Sequence, residues 1–511
     1  MLAKRIMIQG TGSGVGKSII CTALCRIFKQ DGYRVAPFKS QNMALNSFVT
    51  KDGGEIGRAQ VVQAEAAGIE PTVDMNPILI KPTKDTGAQI IVRGKPLGNM
   101  SAKEYQNYKT QKELLQIVSE SFLKLARKYE IVVIEGAGSP AEINLRDKDI
   151  VNMKMAKIAR APVILTGDID RGGVFAWIIG TLELLTKEER ELVKGLIINK
   201  FRGDLDILKP GLDYLEKKSR KEILGVIPYF KDIRIEEEDS VSLEKRKNSS
   251  LLSREDVISI EVLYLPHISN FTDFDPLERE KDVYLKYVGR GESIGRPDLL
   301  IIPGSKNTIG DLEYLRKRGY EEQILKLSRE GKKILGICGG YQMLGKEIRN
   351  PHHIESHREK IEGLGLLNII TVIEKTKLTS QVKANLYKNN LFNTEEEIKG
   401  YEIHMGRTKF LKRTKPLFLI KEKFSRRVNI EDGVIDEKRG ILGTYIHGIF
   451  ENNSFRRAFL NFLRKEKGLP PLFSPEKLSI QEEKNKEYDK LAEVVKNNLR
   501  MKKIYQILEI K

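Results

Sequence analysis

The stretch Lys333-Ile334-Leu335-Gly336-Ile337-Cys338-Gly339-Gly340-Tyr341-Gln342-Met343-Leu344-Gly345 reads as a buried strand, a sharp turn and a helix. A Gly-x-Cys-x-Gly turn in that setting lifts a thiol clear of a sheet. The small flanking residues permit the strained backbone, and the helix N-terminus favours the thiolate. Glycine brackets alone do not separate a nucleophile from a core cysteine, and Cys338 is one of only three cysteines in 511 residues. The neighbourhood weighs for the nucleophile. Upstream, the apolar run Leu299-Leu300-Ile301-Ile302 ends in Pro303-Gly304-Ser305. Downstream, a short β-rich run leads to His447. Cys338 is thus the expected nucleophile, His447 its general base, and the backbone N–H groups of Gly304 and Gly339 an oxyanion hole.

Working outward, the same α/β pattern begins at Ile258–Leu263 and closes with Gly400-Tyr401-Glu402-Ile403-His404-Met405-Gly406 and Gly443–Phe450. His404 is expected to shape a pocket or a strand end, and His267 to be structural. His353 and His357 have the i, i+4 spacing of a metal pair but no further ligand set. The charged, aperiodic stretch 236–256 fits an inter-domain linker. Residues 456–511 read as a helical extension, with Tyr488, Leu491, Val494, Val495 and Leu499 near a helical period.

The other half opens with strand Arg5–Gln9, the loop Gly10-Thr11-Gly12-Ser13-Gly14-Val15-Gly16-Lys17-Ser18 and a helical run. Loop N–H groups and the helix N-terminus make a phosphate cradle. Gly12, Gly14, Val15, Gly16, Lys17 and Ser18 are its expected ATP contacts, with Lys17 on the β/γ oxygens and the Ser18 hydroxyl on Mg²⁺. The strict Gly-x4-Gly-Lys spacing is broken, because Thr11 stands where the first glycine belongs. Further apolar strands end in polar tips, as a doubly wound parallel sheet requires. Ile131–Ile134 ends at Glu135, which can reach the same Mg²⁺. Pro162–Leu165 leads to Asp168, and Gly195–Ile198 to Asn199, a candidate partner of the base. Arg34–Phe38 ends at Lys39, Gln41 and Asn42, the expected substrate and phosphate contacts, with Lys39 the best placed cation. Turn or cap roles fit several of these residues equally well. Cys21 and Cys25 read as core.

Composition narrows the classes. The 40% hydrophobic and 31% charged fractions are those of a globular protein with room for two or more domains. No apolar run approaches a membrane span, the N-terminus lacks a signal peptide's pattern, and few cysteines fit a reducing cytoplasm. A net charge of +18 is spread along the chain among many glutamates, with no basic arm, so nucleic acid is not the expected partner.

A nucleotide cradle and a Cys–His site in one chain suggest coupled half-reactions. ATP activates a carboxylate as an acyl phosphate, and the thiolate releases ammonia from glutamine through a thioester. Over nearly its whole length the chain resembles the cobyric acid synthases, within the cobyrinate-type amidotransferases. The most specific matches are Phe38–Ser47, Thr166–Phe175 and Asn199–Asp204. These resemble that family more than its sister, the cobyrinate a,c-diamide synthases, which remain the runner-up. A regulatory P-loop ATPase with a non-catalytic amidotransferase-like module is the alternative from another class.

The resemblance implies a dethiobiotin-synthetase-like P-loop domain over residues 1–235 and a class I glutamine amidotransferase-like α/β domain over 257–455. It implies amidation of the b, d, e and g carboxylates of adenosylcobyrinate a,c-diamide. ATP and Mg²⁺ take part, with no tightly bound cofactor, and glutamine and the corrinoid are small-molecule partners. Cys338 and His447 match the family's catalytic pair, and Glu135 resembles the magnesium carboxylate of the dethiobiotin enzymes. The wider class carries His-x-Glu, but position 449 is Ile449, so the group that orients His447 is left open.

Overall fold

The computed structural model describes residues 2–84, 87–105, 108–230, 232–236, 255–473 and 479–510. Most of the expected linker, 237–254, lies outside the described residues.

The first body is a six-stranded parallel sheet. Its strands are β1 (Lys4–Gly10), β2 (Val35–Phe38), β3 (Ile131–Glu135), β4 (Val163–Asp168), β5 (Val193–Phe201) and β6 (Ile223–Pro228), in the order β6-β5-β4-β1-β3-β2. Runs such as Ile131–Ile134 are apolar throughout because helices cover both faces of the sheet. The chain leaves β1 past β3 to reach β2 and later returns to β4. The crevice beyond the β1 tip therefore lies at the switch point where open α/β sheets bind ligands. Helix α1 (Lys17–Gln30) starts there, and α2 (Arg58–Ala67) packs beside it.

The second body has a mainly parallel sheet of β7 (Ile258–Leu263), β8 (Val283–Val288), β9 (Leu299–Ile302), β10 (Lys333–Ile337), β13 (Val434–Asp436) and β14 (Ile441–Thr444). The order is β8-β7-β9-β10-β14-β13, with only β13 antiparallel. Beside it, a long antiparallel hairpin of β11 (Ile369–Leu386) and β12 (Ile398–Phe410) pairs with the two-residue β15 (Ile446–His447). Helix α3 (Gly339–Leu344) follows β10.

The segment expected as one C-terminal extension divides. Helix Asn453–Glu466 spans the expected 455/456 boundary, because Phe455, Phe459 and Phe462 fill the second core. Helices α4 (Ile480–Asn498) and α5 (Met501–Leu508) instead return to the first body. There Tyr488, Leu491, Val495 and Ile504 join Ile20, Leu24 and Phe28 of α1 in one apolar cluster.

Buried charges tie the two bodies together. Glu55 pairs with Lys81 at 2.9 Å and with Lys377 of β11. Arg58 pairs with Glu236, and both Arg58 (3.4 Å) and Lys484 of α4 (3.5 Å) reach Glu451 of the second body. Removing one member of such a buried set leaves an uncompensated charge, which makes it a demanding device for holding one relative placement.

Candidate functional site

Cys338 stands at the end of the central strand β10 with φ 51° and ψ −105°, a conformation strained for any residue but glycine. Its neighbours show why small residues are needed. A Cβ on Gly340 would sit 1.9 Å from the Ile302 carbonyl oxygen, and one on Gly443 would sit 2.2 Å from the Tyr341 ring. The Gly340 N–H donates to the Pro303 carbonyl (3.0 Å) and the Cys338 N–H to that of Thr444 (2.8 Å). The turn is thus pinned to the strands on both sides. A Cβ on Gly339 would lie 2.8 Å from the Ser305 nitrogen, so the two expected oxyanion segments meet beside the thiol. His267 braces the Pro303–Ser305 loop: its Nδ1 is 2.8 Å from Asp311, and Asp311 also accepts from the Ser305 hydroxyl (2.6 Å).

His447 is buried, and its Nδ1 lies 2.6 Å from Oδ2 of Asp273, while Oδ1 of Asp273 accepts from the Gly448 N–H at 3.0 Å. Among the described residues its Nε2 has no hydrogen-bond partner, and the Cys338 thiol lies 3.7 Å from the Ile403 carbonyl oxygen. Burial alone disfavours the imidazolium, but the Asp273 carboxylate, with Cys338, overrides it and lifts His447 to about 10. Asp273 answers the question left by Ile449. It lies in a turn after β7, far from His447 in sequence, and the Ser-Asn-Phe-Thr-Asp tip of an apolar strand was its only signal. The ring of Tyr401 stacks on His447 (centroids 5.3 Å, 17°), and its strand pairs Tyr401 with His447. His404 lies in the same strand, stacked on Tyr445 at 3.7 Å and flanked by Glu402 at 3.4 Å. His353 and His357 sit exposed in an irregular segment.

At the other site, a cavity of about 1490 Å³ gathers Gly14, Gly16, Lys17, Ser18, Lys39, Gln41, Asn42, Glu135, Asp168 and Asn199. Gly12 and Val15 face a neighbouring cleft beside Trp177. The loop needs glycine at position 16, where φ is 99° and a Cβ would strike the Asn199 amide at 2.1 Å. The Lys17 ammonium curls back onto the carbonyls of Gly12 (2.7 Å) and Gly138 (3.0 Å). Glu135 is the hub. It accepts from Ser18 Oγ (2.8 Å), Lys39 Nζ (2.8 Å) and Gln63 Nε2 (2.5 Å). Burial would raise this carboxyl, but Lys39 and these hydrogen bonds hold it below its ordinary value.

Asn199 commits its Nδ2 to the Val15 carbonyl (2.8 Å), and its buried Oδ1 has no partner among the described residues. Asp168 is bound by Lys200 at 2.8 Å and accepts from the Asp170 N–H. Asn42 donates to Gln60 at 3.0 Å, and Gln41 accepts from the Tyr105 hydroxyl. Among the described residues Thr11 Oγ1, Ser40 Oγ and Thr166 Oγ1 are also buried without partners. Unpaired polar atoms at this density are what a polar ligand would satisfy.

These two sites match two domain families. Residues 6–243 match the CobQ/CobB/MinD/ParA nucleotide binding domain, and residues 259–455 the CobB/CobQ-like glutamine amidotransferase domain. The chain is 55% identical to a cobyric acid synthase from Caldanaerobacter subterraneus subsp. tengcongensis, over 99% of both chains. The chain belongs to the cobyric acid synthase family. A second relative of that name, from Thermoanaerobacter sp., is 53% identical, again over 99% of both chains. Among solved structures, PurLQS from Thermotoga maritima aligns with 41% of this chain and 99% of its own, at 19% identity and a TM-score of 0.32. As a cobyric acid synthase family member the chain is a glutamine-dependent amidotransferase. Its nucleotide-binding domain carries ATP use. Among the described residues no helix is long and apolar enough to cross a membrane.

Proposed function

We propose that this enzyme amidates the b, d, e and g carboxylates of adenosylcobyrinate a,c-diamide in the cytoplasm, giving adenosylcobyric acid, with glutamine as the nitrogen source. The observation that carries this reading is the coexistence of a buried Asp273–His447 pair at a strained Cys338 turn with a phosphate-loop cavity in the same chain.

In the second body, the Cys338 thiolate attacks the side-chain amide carbon of glutamine, and His447 gives its proton to the departing ammonia. N–H groups of Gly304 and Gly339 hold the oxyanion. Water then hydrolyses the thioester, releasing glutamate. Asp273 keeps Nδ1–H directed at itself, so that Nε2 serves the thiol and the leaving group. In the first body, Lys17 swings from its loop carbonyls to the phosphates, and Lys39 bears on the transferring group or the acceptor. The acceptor carboxylate takes the γ-phosphoryl and ADP leaves. Ammonia then attacks the acyl carbon and inorganic phosphate departs. Asn199 Oδ1 is an acceptor suited to an exocyclic amino group of the base.

The oxygens of Ser18 and Glu135, brought together beside the loop, are the hard donors Mg²⁺ prefers. They would hold the ion, which supplies charge neutralisation on the phosphates. Mass spectrometry of the product tests the assignment: four added amides on the a,c-diamide are expected. Amidation of cobyrinate itself at only two positions would move the enzyme to the sister reaction.

A further inference from the structure

The two sites are built from different halves of the chain, yet one short segment touches both. Residues 39–47 begin at Lys39, whose ammonium holds Glu135 at the nucleotide cavity. They end at Asn46 and Ser47, which are buried against the turn that carries Asp273. The Ser47 N–H donates to Asn270 Oδ1 (3.1 Å), and Asn46 Oδ1 accepts from the Phe271 N–H (3.0 Å). The Tyr401 hydroxyl donates to the Ser47 carbonyl (3.3 Å) and accepts from Asn270 Nδ2 (3.4 Å). The ring of that same tyrosine lies flat on His447. A second strut runs in parallel. The first N–H of α2, from Arg58, donates to the Asn46 carbonyl (3.2 Å), while Gln63 of the same helix binds Glu135.

We propose that segment 39–47 is the link through which the nucleotide and acceptor site sets the placement of the Asp273–His447 pair, with Asn270 and Tyr401 as positioning residues of the glutaminase. The proposal rests on the two-site function above. Between the two ends Asn42 donates to Gln60 of α2 and the Ala44 N–H donates to the Ile80 carbonyl (3.1 Å), so a displacement of Lys39 as the synthetase site fills has a hydrogen-bonded route to Asn46 and Ser47. At that end only two residues, Phe271 and Thr272, separate Asn270 from Asp273. Buried hydrogen bonds of this kind transmit position because leaving any of them unmade is costly. The consequence is that glutamine is hydrolysed when an acceptor is ready for its nitrogen.

The test measures glutamine consumption by the wild type, Tyr401→Phe and Asn270→Gly, with and without ATP, Mg²⁺ and adenosylcobyrinate a,c-diamide. Ammonia-driven amidation is followed alongside. Tyr401→Phe keeps the ring on His447 and loses only the hydroxyl. Asn270 has φ 52°, so glycine takes its place without backbone strain while both side-chain hydrogen bonds are lost. In the wild type, filling the synthetase site should accelerate glutamine hydrolysis. In both variants that acceleration should fall by about three- to tenfold, the worth of one or two buried hydrogen bonds. The change should lie in kcat and not in KM for glutamine, with more glutamine consumed per amide formed. Ammonia-driven amidation should stay within about twofold of wild type, and Asn270→Asp, which keeps the acceptor for Ser47, should recover part of the acceleration. Acceleration that survives in both variants, or is missing from the wild type, overturns the link. Glutamine consumption that persists in Cys338→Ala overturns instead the two-site function beneath it.

Discussion

His447 Nδ1 lies 2.6 Å from Asp273 Oδ2, although 174 positions separate them in the chain and His447 sits on β15 beside the hairpin while Asp273 lies in the turn after β7. Neither residue is exposed, and the pair is complete without any contribution from position 449. Asp273→Asn should therefore cut glutamine-dependent amidation by about 10²-fold or more, since the neutral amide can hold the wrong imidazole tautomer. Ammonia-dependent amidation should be unaffected. Side-by-side rates with the two nitrogen sources check both halves of the statement.

The same pair predicts a pH dependence. His447 is raised from 6.5 to about 10 in the fold, so its protonated form stabilises the native state. That contribution is fully present below about pH 6.5 and is lost as pH rises through about 10. The wild type should thus lose stability to denaturant on going from neutral to strongly alkaline pH. Asp273→Asn should lose this dependence, because burial then keeps the imidazole neutral. The alkaline limb of glutamine hydrolysis should move down in the variant. An unmoved limb would show that another group titrates there.

Cys338→Ala should abolish glutamine use while ammonia still supports amidation. Equal loss with both sources would mean that the two sites are not separable half-reactions.

Glu135→Gln should have the complementary effect, lowering amidation with either nitrogen source by about 10²-fold or more. It removes the charge that Lys39 and Ser18 share. Isothermal titration with Mg²⁺–ATP is the check, and wild-type nucleotide affinity in the variant would rule out Glu135 as a metal ligand.

Gly340→Ala probes the elbow itself. A methyl 1.9 Å from the Ile302 carbonyl forces β9 and the turn apart. The cost should be about 2–4 kcal/mol, seen as a lowered denaturant midpoint, together with loss of glutamine hydrolysis.

Much of this arrangement was legible in the chain because its signals are local. The apolar runs Ile131–Ile134 and Leu299–Ile302, each with a polar tip, announced parallel strands. The Gly-x-Cys-x-Gly turn and the loop before Lys17 announced what those sheets carry. What was not legible depends on contacts that only folding creates. Asp273 has no spacing relation to His447, and Asn199 shows its use of Val15 only once β5 lies beside the loop. That helix Asn453–Glu466 runs across 455/456 was not legible either, because it owes its place to aromatic packing in the second core, which composition does not reveal.

Helices α4 and α5 close the face of α1 only after every residue of the second body has been made. At about 5–20 residues per second, α1 and its sheet wait roughly 15–60 s for their last covering layer during synthesis. Through that interval Ile20, Leu24 and Phe28 present an open apolar surface, and the first domain begun is the last one finished. A chain stopped after Leu469 should keep that surface open permanently. It should bind a hydrophobic dye or a chaperone where the full chain does not. Until the last of these helices docks, the first body of the nascent chain carries an apolar face that the folded chain covers.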